Sequence, residues 1–191
     1  MKIRTEEELN YLLNKVPRIF WNTENHPCNY LKGLYNLIQE NLKKTDIMVE
    51  VGSCAAVSTH LFAENVNTIY CVDLWQPYGE IDEDHIKECE RLFDNFLKKY
   101  NNAIKVKKSS NDACTDFEDQ SLDFVYLDAD HTYEAVIQDI KNWLPKIKKT
   151  GAIAGHDYHH NSVQRAVFDS FKTHETPKIY DDFSWYIKLE K

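Results

Sequence analysis

Asp46–Ile47–Met48–Val49–Glu50–Val51–Gly52–Ser53–Cys54–Ala55–Ala56–Val57–Ser58–Thr59 is the stretch whose reading decides the fold. Residues 47–51 are a short apolar run carrying a single acid, the pattern of a strand buried on both faces of a parallel sheet. Gly52 follows, then small residues, then a helical segment over 57–64. Strand, glycine turn and helix N-terminus together make a nucleotide cradle. Glycine lets the backbone approach a ligand, and the first N–H groups of the helix point into the gap. Asp73 ends the next apolar run, about 20 residues after the loop, where a ribose-binding acid belongs. A dinucleotide loop would want three glycines, and only Gly52 is present. The pattern therefore suits a ligand with a ribose and no diphosphate.

Outward from that stretch the chain alternates strands and helices. Towards the N-terminus, Thr5 and Glu8 form a capping-box pair ahead of Leu9, Leu12, Leu13 and Val16, and Pro17 ends that helix. An aromatic arm with Phe20, Trp21 and His26 follows, either a lid over a pocket or, the reading preferred, an arm packed on or near the site. A helix over 30–42 places Leu31, Leu34, Ile38 and Leu42 on one face. After Asp73 comes a loop with Trp75, Pro77, Tyr78 and Gly79. Its two aromatic residues either flank a ligand or cover the sheet edge. A long helix over 84–100 buries Ile86, Cys89, Phe93, Phe96 and Tyr100. A strand at 104–108 leads to Ser109–Ser110–Asn111–Asp112, and its Lys105, Lys107 and Lys108 read as a solvated edge. The strand at 122–127 opens onto Asp128–Ala129–Asp130–His131, with Asp130 or His131 set to cap the helix that starts near Thr132. Gly151 turns the chain into a fifth strand at 152–154, which ends at Gly155–His156–Asp157–Tyr158. A helix over 162–172 and two short strands at 178–180 and 184–189 complete the chain. The last pair is too close for a helical crossover and must be an antiparallel hairpin. The expected architecture is one domain over residues 1–191: a three-layer α/β Rossmann-like sandwich with a mostly parallel, seven-stranded sheet.

The 191 residues carry a net charge of −8, which argues against a broad phosphate-binding surface and hence against nucleic acid as a partner. Five cysteines without a C-x-x-C pair read as free thiols in a reducing compartment. No run has the length of a signal core or membrane span, so a cytoplasmic location and no membrane partner are expected. The sequence does not specify an oligomeric state.

Glu50–Val51–Gly52–Ser53–Cys54–Ala55–Ala56–Val57–Ser58–Thr59 resembles the acid-x-glycine signature of class I S-adenosylmethionine-dependent methyltransferases. Asp123–Phe124–Val125–Tyr126–Leu127–Asp128–Ala129–Asp130–His131–Thr132–Tyr133–Glu134 is similar to a small subgroup related to macrocin-type O-methyltransferases. So are Trp143–Leu144–Pro145 and Gly155–His156–Asp157–Tyr158. Ala56 stands where the loop commonly has a second glycine, and Ser109 where an adenine-contacting acid is common. The resemblance implies S-adenosylmethionine as cofactor. It places Glu50 and Gly52, with Ser53 beside them, along the methionine portion, and Asp73 on the ribose hydroxyls. Ser109, Ser110 and Asn111 would edge the adenine, and Asp128 would lie near the sulfonium or amino group. The implied activity is methylation of a hydroxyl on a small-molecule acceptor such as a sugar or sugar-bearing metabolite.

Adjacent parallel strands end side by side, so Asp128, His131, His156 and Asp157 can converge. Methyl transfer to a hydroxyl needs alignment and removal of a proton, and His156 or His131 would suit as base. Alternatively, Asp128 and Asp157 would hold Mg2+ or another divalent ion that activates the hydroxyl. The macrocin-type relatives place two acids where this chain has His156–Asp157. His159 and His160 read as solvent-facing. Two other functions compete: a metal-dependent hydrolase or oxygenase built on the same cluster, and a non-catalytic module that keeps the cofactor fold.

Overall fold

The computed structural model describes residues 31–79, 81–171 and 176–189. The expected helix and aromatic arm over 1–28 lie outside the described residues. Helix α1 (Lys32–Asn41) leads into β1 (Ile47–Val51), α2 (Val57–Ala63), β2 (Thr68–Asp73) and α3 (Glu83–Leu97). Then follow β3 (Ala103–Lys107), a single turn α4 (Ser110–Ala113), β4 (Leu122–Leu127) and α5 (Tyr133–Trp143). The chain closes with β5 (Ile147–Gly155), α6 (Asn161–Phe171), β6 (Lys178–Ile179) and β7 (Trp185–Lys188). The sheet has seven strands in the order β3-β2-β1-β4-β5-β7-β6. Strands β1 to β5 run parallel; β7 runs antiparallel to β5, and β6 antiparallel to β7. The expected Rossmann-like architecture and terminal hairpin are both present.

Alternation along the central strands sorts their side chains between two helical layers. Met48, Phe124, Tyr126, Ala152 and Ala154 face one side, where Leu34, Leu37 and Ile38 of α1, Leu61 and Phe62 of α2, and Phe93 and Phe96 of α3 cover them. Val49, Val51, Val125, Leu127 and Ile153 face the other, under Val136, Ile140 and Trp143 of α5 and Val163, Ala166 and Val167 of α6. Burial on both faces is why these strands read as apolar runs rather than as alternating ones.

Several boundaries move, each for a local reason. Helix α3 starts at Glu83 because the Asp82 carboxylate accepts from His85 N (2.9 Å). It ends at Leu97, which leaves Tyr100 outside it, stacked on Phe96 and donating to Glu64 (2.9 Å). Strand β5 begins at Ile147 instead of Ala152. Its pairing with β4 jumps from Leu122–Ile147 to Phe124–Ala152, so a bulge absorbs the polar Lys148–Lys149–Thr150 stretch. Thr132, not Asp130 or His131, caps α5; Asp130 accepts from Thr132 N (2.8 Å) one step earlier. Lys105 and Lys107 are not merely solvated: both reach Glu90 on α3, at 2.8 and 2.7 Å. Cys54, Cys71, Cys89 and Cys114 are free thiols, and no described helix is long and apolar enough to cross a membrane.

Candidate active site

A parallel sheet delivers its loops to one edge, and here the loops after β1, β4 and β5 meet around a cavity of about 270 Å3. Gly52 makes that meeting possible. It has φ +93°, and a Cβ there would stand 2.1 Å from the carbonyl oxygen of Asp128. Gly52 N donates to Val72 O and Asp128 N to Val51 O, both at 2.8 Å, so the loops after β1 and β4 are locked at their roots. Cys54 and Ala56 also take left-handed backbone, φ 42° and 64°. Ala56 thus does what a glycine commonly does in such a loop, at some conformational cost.

Asp73 closes this loop from the β2 side. Its carboxylate accepts from Cys54 N (2.9 Å) and Trp75 N (2.8 Å), one bond on each oxygen. Each oxygen keeps a further lone pair, the capacity that a pair of ribose hydroxyls requires. The two aromatic residues of the following loop divide the roles left open by the sequence. Trp75 is buried against Phe93 and donates Nε1 to Cys54 O (2.9 Å), while Tyr78 is 65% exposed and lines the cavity mouth.

Four expected contacts sit elsewhere than anticipated. Glu50 is wholly buried behind the loop, where Ser53, Ser58 and Thr59 donate to its carboxylate at 2.8, 2.5 and 2.6 Å. Burial pushes it up to about 7 against those hydroxyls. It shapes the loop and does not face the cavity. The Ser110 hydroxyl is turned under α5, donating to Asp139 (2.5 Å) and accepting from Trp143 Nε1 (2.8 Å). Ser109 caps α4, and the exposed Asn111 amide accepts from Asn142 (2.7 Å). None of these three lines the cavity, although all three follow β3 at the carboxyl edge of the sheet.

Asp128, His131, His156 and Asp157 do come together. His131 Nε2 lies 2.9 Å from Asp157 Oδ2 and 3.6 Å from Asp128 Oδ1. His156 Nδ1 lies 3.3 Å from Asp157 Oδ1 and 3.9 Å from Asp128 Oδ1. Asp128 and then Asp157 push His131 up to about 10. Burial works against charge on His156, but Asp128 and Asp157 outweigh it and raise the ring to about 9. Asp157 is itself buried enough to resist ionisation, yet His131 and His156 hold it well below the usual carboxylate range. Its backbone is left-handed, φ 59°, a strain of the kind that collects at functional sites.

Asp128, His131 and Asp157 offer donor atoms within 4.8 Å of one another. They do not suit a hard ion of the magnesium type. Such an ion wants oxygen ligands alone, and this set includes the His131 imidazole.

Asp182 is the cavity-lining acid that the sequence did not single out. It arrives on the β6–β7 turn, 95% buried, and lines the cavity. It accepts from Leu34 N (2.6 Å) and Ser184 N (3.0 Å). Gly33 admits it, since a Cβ there would stand 2.1 Å from Asp182 Oδ1. In the sequence Asp182 sits in Asp181–Asp182–Phe183, between the two short strands of the terminal hairpin. Leu31, Leu34, Ile81 and Ile86 complete an apolar wall opposite the charged cluster.

The fold and the loop cradle are those of a methyltransferase domain, and comparison with known proteins agrees. Residues 49–158, more than half of the chain, match a family model described as a methyltransferase domain. The chain belongs to that family. It is 26% identical over 122 residues to an uncharacterized protein of Sinorhizobium fredii, covering 58% of this chain and only 13% of that one. It shares its fold with a Staphylococcus aureus protein assigned as a caffeoyl-CoA O-methyltransferase: TM-score 0.62, 15% identity, 98% of this chain and 93% of that one. A Streptococcus mutans methyltransferase in complex with S-adenosylhomocysteine aligns at TM-score 0.59 and 11% identity, over 82% of this chain and 94% of that one. A Clostridium thermocellum protein assigned as an rRNA methylase aligns at TM-score 0.62 and 14% identity, over 85% and 97%.

Proposed function

We propose that this chain methylates an oxygen of a small molecule, a sugar or sugar-bearing metabolite being the class suggested by its resemblance to the macrocin-type subgroup. One observation carries the reading: the cradle at Gly52 and Asp73 and the Asp128–His131–His156–Asp157 cluster share a single edge of the sheet, with the loops after β1 and β4 locked together. S-adenosylmethionine supplies a methyl group on a cationic sulfur. Asp73 takes the ribose hydroxyls, and Asp128, at the end of β4, sets a negative charge beside the sulfonium. Glu50 acts indirectly by fixing Ser53 and Ser58 in the loop. Ser109, Ser110 and Asn111 supply the backbone edge towards the adenine.

The acceptor enters between the apolar wall of Leu31, Leu34, Ile81 and Ile86 and the charged cluster. As the methyl group leaves the sulfonium for the acceptor oxygen, releasing S-adenosylhomocysteine, the hydroxyl proton passes to His156 in its neutral form. His131 holds the oxygen by a hydrogen bond, and Asp128 and Asp157 stabilise the imidazolium that forms. The net charge of −8 supports a small acceptor over a nucleic acid. Methyl transfer is favoured over the metal-dependent hydrolase reading because the family match spans cradle and cluster alike.

Calorimetric titration with S-adenosylhomocysteine tests the cofactor site. One molecule should bind per chain, and Asp73→Ala should abolish binding while the fold, followed by circular dichroism, persists. Absence of binding to the folded wild type would overturn the reading. Binding without turnover of any hydroxylated acceptor in a broad screen with labelled S-adenosylmethionine would instead favour the non-catalytic module.

A further inference from the structure

The turn after β5 carries a second constellation, on the rim of the cavity. His160 N donates to Asp157 O (2.9 Å), which closes a tight turn, and Tyr158 N donates to Phe183 O (3.0 Å), which ties it to the β6–β7 turn. This geometry sets His159 and His160 side by side, their ring centroids 4.1 Å apart, with His159 also 4.8 Å from the Phe183 ring. Asp157 Oδ1 lies 3.6 Å from His159 Nδ1. One donor atom from each of Asp157, His159 and His160 falls within 4.8 Å of the other two. Both histidines are open to solvent, whereas the Asp157 side chain is only 14% exposed.

Ligand atoms around a tetrahedral ion with bonds of about 2.0–2.1 Å stand roughly 3.3 Å apart, close to the separation already present between Asp157 and His159. Two imidazoles and one carboxylate are the donor set of a borderline transition ion, whereas magnesium and calcium want oxygen alone. We infer that Asp157, His159 and His160 form a rim site for a divalent ion of the zinc type, with solvent completing its coordination.

Asp157 belongs to both clusters: Oδ1 lies 3.6 Å from His159 Nδ1 at the rim and 3.3 Å from His156 Nδ1, while Oδ2 faces His131 in the cavity. A bound ion would therefore clamp the turn that carries His156, and it would be joined to the cavity through one carboxylate. The rim site stands whether or not the cavity transfers methyl groups.

The test uses the full chain, stripped of metal, titrated calorimetrically with zinc chloride and separately with magnesium chloride, and with cobalt(II) as a spectroscopic probe. One zinc ion should bind per chain, cobalt should give a tetrahedral visible spectrum, and magnesium should not compete. His159→Ala and His160→Ala should each weaken zinc binding by about tenfold or more, with the thermal melt of the metal-free protein unchanged. His131→Ala should retain binding. Zinc affinity unchanged in the His159→Ala/His160→Ala double variant would overturn the inference. So would binding lost in His131→Ala and kept in that double variant, which would move the ion into the inner cluster.

Discussion

Asp157 Oδ2 stands 2.9 Å from Nε2 of His131, and this contact joins the loop after β5 to the loop after β4 across the cavity. Asp157 is 26 positions further along the chain, so no local motif specifies the contact. It exists because β4 and β5 pair in register, Leu127 opposite Gly155, which brings their following loops abreast.

Asp157→Asn removes the charge that His131 and His156 share. Methyl transfer should fall by about 100-fold or more, the scale of a lost proton-handling group. Affinity for S-adenosylhomocysteine should stay within about threefold, because Asp157 belongs to the acceptor side. Parallel turnover and calorimetric measurements check this. A variant that lost both together would place Asp157 in the cofactor site instead.

Glu50 predicts a pH dependence of stability. Burial raises its carboxyl from 4.5 to about 7 in the folded chain. Its contribution is therefore fully present below about pH 4.5 and is lost as pH rises through about 7, where folding must hold a charge in the core. The loss amounts to about 3 kcal/mol at 1.36 kcal/mol per unit. Glu50→Gln should flatten that slope in urea melts between pH 5 and 8. Parallel slopes for wild type and variant would show that the three hydroxyls fully compensate the buried charge.

Gly52 and Gly79 form a matched pair for the cost of a side chain. Both have positive φ, +93° and +56°, but a Cβ at Gly52 meets Asp128 backbone at 2.1 Å while nothing lies within 4 Å at Gly79. Gly79→Ala should cost about 1 kcal/mol from backbone conformation alone. Gly52→Ala should cost about 3 kcal/mol or more and abolish cofactor binding, since the loops after β1 and β4 must part. Denaturant melts of the two variants side by side decide it.

Asp182→Ala should destabilise the chain by about 2 kcal/mol, because Leu34 N and Ser184 N lose a buried charged acceptor. It also frees the start of α1 from the β6–β7 turn. Hydrogen exchange should therefore rise at Leu34 and Ser184 more than in the central strands. Uniform exchange along the chain would rule out this local role.

Some parts of this protein were legible in one dimension because the physics behind them is local. Apolar runs of strand length, helical faces at Leu34–Ile38 and Phe93–Phe96, and the single glycine after β1 identify the elements and their order. Parallel strands then put Gly52, Asp73, Asp128 and His156 on one edge whatever their side chains do. Which atoms face the ligand is a different matter. Glu50 points into the core because Ser53, Ser58 and Thr59 turn back over it, and Ser110 points under α5 because Asp139 and Trp143 await it there. Asp182 reaches the cavity from the far end of the chain because β7 pairs with β5 and Gly33 leaves room for it. The sequence by itself determined the fold and the edge where chemistry occurs, since both follow from patterning at periods of 2 and 3.6 residues. Only the tertiary structure decided which carboxylates are buried supports and which line the cavity. That choice depends on partners up to 148 positions apart, brought together by sheet order rather than by neighbouring residues.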